Sequence, residues 1–510
     1  MIDLFESPAF NPLQRRKLRD ELAKALERVA TDGSPKDWKD VYIPPSHLQA
    51  LDPQRMVVEG MRGAGKSFWT GVLTNSEFRK QLEVQDIGID LKKSLQSIQQ
   101  SYRIGLDAGT NETNFPKPNE LANLLALPGV NAETIWMVAI LRLFPTDTEL
   151  GMPESTDRYD VWTTPVAWAG LNPARLSNGL AFLDQRLAAT RQTALVVIDA
   201  IDRASHDLSQ VSAMGAGLLR VLLELRFAKG LRIKAFFRED VLSRSSPSVV
   251  DASKLLNNKV ILKWDQNELY SLAFSRIAQQ STYFRERFKN IAGFSWKRDS
   301  AQRYVCEKIN DIDIQKYLWC ALVGNYMGKT ATKGHSYPYI FNHLSDGLGR
   351  VAPRIFLVAL KEALAATVHQ YAEKTTHVIH HEAIKDGVRA ASDNRVVQLR
   401  DEYAWIDPAL HCIRAQKETV PMDWSTLKSI WFANNAAVLN EIESMRQRAL
   451  VPWKINSDPV IQIEILRSTL NEIGVIKVKI KSNEERIEIP DIFRLAYQIG
   501  RKGGIATNKK

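Results

Sequence analysis

The run Gly60-Met61-Arg62-Gly63-Ala64-Gly65-Lys66-Ser67 keeps the spacing G-x-x-x-x-G-K-[ST], and no other feature narrows the fold of this 510-residue chain as far. Its glycines let the backbone wrap so that successive N–H groups converge on a phosphate. Such a loop works between a strand that brings the chain in and a helix that takes it away, because the helix N-terminus adds partial positive charge to the anion site. Both flanks are readable, an apolar strand over 56–59 and a helix-compatible stretch over 68–73. Lys66 then offers a point charge to β- and γ-phosphates, and Ser67 a hydroxyl to Mg2+. Gly60, Gly63, Ala64, Gly65, Lys66, Ser67 and Phe68 are therefore the expected contacts of a nucleoside triphosphate, ATP or GTP, with its Mg2+.

A site of this kind needs a second half, a buried strand ending in a carboxylate. Residues 194–199 supply it as Ala-Leu-Val-Val-Ile-Asp, a continuous apolar run suited to a central parallel strand. Asp199 is the expected Mg2+ ligand. Asp202, three residues on, is the expected group that orients or deprotonates the attacking water. Its plainer reading is a carboxylate capping a helix. A further strand, 233–237, ends at Arg238, which is followed by Glu239 and Asp240. Its tip is expected near the γ-phosphate, so Arg238 is a candidate sensor of that phosphate; the plainer reading pairs it with Glu239 or Asp240 at the surface. Much later, Gly349-Arg350-Val351-Ala352-Pro353-Arg354 opens a helix with proline in its first turn. Arg354 is expected to reach over the nucleotide as part of a lid.

In that order the motifs GMRGAGKS, LVVIDAIDR, IKAFFRED and GRVAPR resemble those of the STAND and KAP-type P-loop ATPases of the AAA+-related group. The D-x-x-D-R form resembles the KAP pattern, the Arg closing the fourth strand resembles the STAND sensor, and G-x-x-x-P-R resembles the lid sensor of origin-recognition ATPases. The resemblance covers about residues 50–400 and implies ATP as the substrate. Many AAA+ ATPases carry Glu directly after the metal-binding Asp, where this chain has Ala200.

The expected fold class is α/β: a parallel-sheet P-loop NTPase core, an all-α lid domain and a C-terminal winged-helix domain. The expected boundaries are an N-terminal helical segment 1–50, the core 51–264, the lid 265–400 and a C-terminal region 401–510, with the winged helix at about 451–500. Strands are expected at 56–59, 102–106, 194–198, 233–237 and 260–262. A helix over 214–227 is expected to end at Gly230, and 109–119 reads as an irregular insertion. An amphipathic helix over 13–29 buries Leu18, Leu22, Ala25 and Val29. Beyond 264 strand signals vanish until a helix capped by Asp458, stopped by Gly474 and followed by two alternating runs.

The three cysteines, Cys306, Cys320 and Cys412, are far apart and odd in number, which points to buried reduced thiols in a cytoplasmic protein. No secretory signal is visible, and no apolar run approaches the ~20 residues of a membrane span. His380-His381 lacks carboxylates or thiols at metal spacing. The net charge of +10 fits nucleic-acid contact without requiring it. Residues 451–510 hold 11 Lys and Arg against 7 Asp and Glu, with Lys477, Lys479 and Lys481 on one face.

Two functions follow. In the first, a slow ATPase acts as a nucleotide-driven switch that self-assembles into a homo-oligomer or engages a protein effector on another chain; the resemblance adds bacterial anti-phage defence or conflict signalling as its setting. In the second, an ATP-regulated protein of the origin-recognition or transposition-regulator type grips duplex DNA with its winged helix.

Overall fold

The structure is a computed structural model describing residues 10–27, 35–105, 114–144, 150–205, 207–289, 294–401, 403–446, 451–454, 457–481 and 484–501. Its contacts divide the chain into two units. One comprises Asp32–Trp38 and Pro45–Lys263, the other Met1–Thr31, Lys39–Pro44 and Trp264–Lys510.

The first unit is built on a five-stranded sheet. Its strands are β1 (Val57–Gly60), β2 (Ile98–Gly105), β3 (Thr193–Asp199), β4 (Leu231–Phe237) and β5 (Val260–Leu262), in the order β2-β3-β4-β1-β5. Every neighbouring pair is parallel. The central strands are nearly continuous apolar runs because both their faces are covered. Ala194, Leu195, Val196, Val197 and Ile198 are all fully buried. Helices Ala132–Leu141, Pro173–Ala189 and Leu208–Glu224 share a single apolar core with alternate residues of these strands. Trp136 sits at its centre, fully buried, its indole N–H donating to the Met214 carbonyl at 2.8 Å. Each such buried large side chain contributes roughly 1.5–3 kcal/mol of transfer free energy.

All five expected strands exist. Residue 106, the expected end of the second, lies outside the described residues, as do 109–113 of the expected insertion; the rest of that insertion includes the start of helix Pro118–Leu125. The helix expected at 214–227 begins earlier, at Leu208, where Asp207 caps the N–H of Ser209. With its 3-10 extension it runs Leu208–Phe227, long and apolar enough by length and composition to cross a membrane. The expectation that no run approaches that length is thereby corrected; much of this helix lies in the core just described. Gly230 does not end it either, since the helix closes at Leu225. Glycine is needed at 230 for another reason: a Cβ there would lie 2.6 Å from the Ala188 nitrogen and 2.8 Å from the Asp184 carbonyl. The Asp184 carboxylate accepts from the N–H groups of Lys229, Gly230 and Leu231, and so fixes the start of β4.

The second unit is mostly helical, so the fold class expected from the sequence, a parallel-sheet α/β core followed by helices, is the one observed. Its main helices are Gln266–Gln280, Ile312–Val323, Pro353–Ala366 and His381–Arg400. The N-terminal helix Pro12–Glu27 packs on the first and third of these, burying Leu18, Leu22 and Ala25; Val29 lies outside the described residues. Toward the C-terminus stand helices Ile406–Ala415, Trp424–Ser444 and Pro459–Glu472 and an antiparallel sheet of Lys477–Lys481, Glu484–Glu488 and Met422–Asp423. Asp458 caps the third helix through the Val460 N–H, and Gly474, at φ 77°, ends it. The expected hairpin thus gains a third strand, too short to read from sequence. His380 caps helix His381–Arg400, its Nδ1 accepting from the Glu382 N–H. The three cysteines are free thiols, and burial pushes Cys320 up to about 11 and Cys412 to about 12.

Replacing Gly230 by Ala should destabilise the protein by about 1–3 kcal/mol, because the new methyl meets backbone that cannot step aside. Thermal and urea unfolding of the purified protein, compared with wild type, measure this directly.

Candidate functional site

The carboxyl edge of the sheet gathers the charged residues. Glu59 of β1 is the register partner of Phe237 of β4, and Ala235 of β4 is that of Ile198 of β3. Gly60 and Arg238, each next along its own chain, therefore emerge side by side, and Asp199 ends β3 level with Phe236, two residues short of Arg238. Ligands of open α/β sheets bind at this edge.

The loop 60–67 carries the dihedrals its glycines permit. Gly63 has φ 78° and Gly65 φ 108°, conformations that cost a residue with a Cβ about 1–2 kcal/mol. Gly65 is the N-cap of helix Lys66–Thr74, and no side chain caps it. At Gly60 a Cβ would stand 3.1 Å from the Leu262 Cβ and 3.3 Å from that of Ala64, so close packing sets the loop's first residue. The Lys66 ammonium folds back on the loop, donating to the carbonyls of Gly60 (2.8 Å) and Met61 (2.9 Å). Ser67 and Phe68 continue the first helical turn, and the Phe68 ring meets Trp69 edge-on.

Behind this turn lies an arrangement that sequence reasoning missed. The buried His47 ring accepts from the Trp69 indole N–H through Nδ1 at 3.0 Å and reaches the Lys263 carbonyl through Nε2 at 2.9 Å. Indole is only a donor, so Nδ1 is unprotonated and the proton sits on Nε2. Burial depresses the imidazole to about 4, offset in part by the bond to Lys263. The ring ties the loop's helix to the end of β5.

Across the sheet, Asp199 is buried and its Oδ1 accepts from the Ala200 N–H at 2.8 Å. Arg103 of β2 holds its Nη2 3.7 Å from Asp199 Oδ2, a cation no motif pointed to. Ala200 is left-handed, at φ 61° and ψ 34°, and leads into the 3-10 turn Ile201–Arg203. That turn brings Asp202 to Arg238, whose Nη1 donates to Asp202 Oδ2 at 3.1 Å. The other edge of the guanidinium is taken by Asp240: Nε donates to Oδ1 at 2.6 Å and Nη2 to Oδ2 at 2.5 Å. Of the two readings of Arg238, the pairing with Asp240 is present, in a buried position at the strand tip rather than at the surface.

Arg354 is not among the residues the α/β unit brings together. It belongs to the helical unit, in the first turn of helix Pro353–Ala366. Just before that helix Arg350 forms a fork with Asp346, a carboxyl that burial raises to about 6.

The loop's positive-φ glycines and backbone wrap fit a polyphosphate. The oxygen donors of Ser67 and Asp199 are the hard ligands that Mg2+ takes beside substrate phosphates. No metal-binding cluster of three or more His, Cys, Asp or Glu is found among the described residues.

No family model and no curated protein sequence matches the chain. Among solved structures it is similar to the Aeropyrum pernix ORC2 protein in ADPNP–ADP complexes, at 13% identity and TM-score 0.38, covering 90% of this chain and 94% of that one. It is also similar to the Aeropyrum pernix ORC1 protein in complex with DNA, at 12% identity and TM-score 0.33, covering 98% and 94%. Similarity of this degree fixes neither fold nor function.

His47 gives the site an acid limit. The unfolded chain takes up a proton near pH 6.5 and the folded one only near 4, so His47 favours the fold above that window and the benefit is lost as pH falls through it. Stability should drop by up to about 3 kcal/mol between pH 7 and 4 on this account. In His47→Asn, less stable at neutral pH, that part of the slope should vanish from denaturation curves recorded across the range.

Proposed function

We propose that this chain is a Mg2+-dependent ATPase whose nucleotide state drives a change of conformation or assembly. The supporting observation is that the loop carrying Lys66, the end of β3 at Asp199 and the Asp202–Arg238 pair lie at the carboxyl ends of three laterally adjacent strands. In this reading the amides of loop 60–67 hold the phosphates, and Lys66 leaves the Gly60 and Met61 carbonyls to neutralise charge on the β- and γ-phosphates. Ser67 and Asp199 would hold Mg2+, which would supply positive charge to offset that of the phosphates. Asp202 orients the attacking water and accepts its proton, and Arg238 senses the γ-phosphate. The lid role expected of Arg354 rests on the motif resemblance alone. The switch works through a homo-oligomer or a separate effector protein, and the setting in anti-phage defence or conflict signalling rests on the motif resemblance alone.

A second reading makes the C-terminal winged helix a DNA-binding arm regulated by ATP. What favours it is the hairpin, where Lys477 and Lys479 are exposed on one face, although Lys479 also pairs with Glu488 at 2.9 Å. Arg467 of the preceding helix is engaged with Glu464 and Glu485, which leaves the helix little basic surface for base edges.

Lys66→Ala should weaken nucleotide binding or turnover by roughly a hundredfold, while Asp202→Ala should retain binding and slow hydrolysis by a similar factor. Isothermal titration with ADP and ATP and a phosphate-release assay separate the two, and a Lys66→Ala protein that binds and turns over normally would sink the ATPase reading. For the arm, duplex DNA retention that weakens steeply with salt and is lost when Lys477, Lys479 and Lys481 become Gln is expected. Retention unaffected by that triple change excludes this arm as the DNA contact.

A further inference from the structure

The Arg238 guanidinium is held unequally on its two edges. Asp240 takes the Nε and Nη2 edge in a fork of two short charge-assisted bonds, and both side chains are buried, at 6% and 9% exposure. Asp202 takes a single longer bond at Nη1, and its side chain is 17% exposed. A two-bond fork in a dry position sets the plane of a guanidinium, whereas one longer bond at a wetter position is the first to be exchanged. Asp240 can hold this fork because it follows Arg238 by two residues, where the chain leaves β4 and enters helix Glu239–Ser245.

In the ATPase reading, the exchangeable edge belongs to the strand tip beside the loop that receives the phosphates. Arg238 follows Phe237, whose register partner Glu59 precedes Gly60, and the Gly60 carbonyl is where the Lys66 ammonium now rests. A phosphate that draws Lys66 off that carbonyl is a bidentate acceptor competing with Asp202 for Nη1.

We propose that Asp240 is a positioning residue that locks Arg238 with Nη1 toward an exchangeable acceptor, which is Asp202 in the nucleotide-free protein and the γ-phosphate in the ATP-bound one. The proposal rests on the ATPase reading and deepens it. Asp202 is then restrained by Arg238 until a γ-phosphate takes its place, and only afterwards is it available to a water. ADP, lacking that phosphate, leaves the Asp202–Arg238 pair intact. Because a ligand shifts such an equilibrium only by its differential affinity, the exchange must appear as a difference between the two nucleotides and not as a general change in affinity.

The test is calorimetric titration of the full chain with Mg2+ and either ADP or a non-hydrolysable ATP analogue. Asp202→Asn removes the competing anion and should bind the analogue several-fold tighter, with ADP unchanged. Asp240→Asn loosens the fork and should bind the analogue about tenfold more weakly, again with ADP unchanged. A residue serving only the fold would move both nucleotides together. An Asp202→Asn protein that binds the analogue no tighter than wild type overturns the exchange, as does an Asp240→Asn protein that loses ADP and analogue equally, and both leave the ATPase reading standing. Wild-type protein that binds neither nucleotide ends that reading and this proposal together. Should Asp240→Asn fail to fold, the Asp202→Asn titrations decide alone.

Discussion

The placement of β4 between β1 and β3 is the constraint on which the carboxyl edge depends, and backbone hydrogen bonds maintain it. The Ala235 N–H reaches the Met56 carbonyl at 2.7 Å on one side, and the Ala194 N–H reaches the Gly230 carbonyl at 2.8 Å on the other. A slip of one residue would turn every β4 side chain to the opposite face and put Phe237, not Arg238, at the strand tip. The Asp184 carboxylate guards against that slip by holding three consecutive N–H groups where β4 begins. A carboxylate on a flanking helix thus sets the position of an arginine seven residues along the strand.

The charges gathered at that edge are poor sources of stability. Taking an ion pair out of water costs several kcal/mol per ion, which mutual attraction repays only when geometry is good. Such pairs are nonetheless present here: Arg103 with Asp199, and Arg238 with Asp202 and Asp240. Elsewhere the same sheet is filled with Val, Ile, Leu and Phe. Polar groups fixed in a dry position do their work when charge is brought to them, because they need no reorganisation at that moment. Pairs of this kind at strand ends add little cohesion and are better suited to meeting a charged ligand, as the proposed function requires.

Much of this was legible in the residues themselves. The continuous apolar run ending in Asp199 announced a central parallel strand, since only a strand covered on both faces can be apolar throughout. The shorter runs before Gly60 and Arg238, broken by Glu59 and Lys234, read as further strands of an α/β layer. What escaped reading depends on contacts between distant segments. His47 and Trp69 are 22 residues apart and meet only because the loop's helix folds over the segment ahead of β1. Arg103 is an unremarked residue in a strand until sheet order puts β2 beside β3. Gly230 looked like a helix stop because glycine usually is one there; its need for a vanishing side chain comes from a neighbouring helix that local pattern cannot reveal. The strand Met422–Asp423 is too short to show a period at all.

Ala200 joins the end of β3 to the turn that carries Asp202. In a left-handed conformation it bears a cost that a glycine would have avoided. That turn redirects the chain away from the line of β3 directly after Asp199 and enters the 3-10 segment that places Asp202 against Arg238. A glutamate at 200 in the same conformation would carry its carboxylate on a backbone already turning aside, while Asp202 stands within bonding distance of the arginine at the tip of β4. The strained residue and the paired acid therefore belong to one turn: Ala200 follows Asp199, and the carboxylate three residues beyond Asp199 is held by a neighbouring cation. In the proposed ATPase, such a pair suits a slow switch better than a fast hydrolase, because an acid already paired with an arginine must exchange its partner before it can accept a proton.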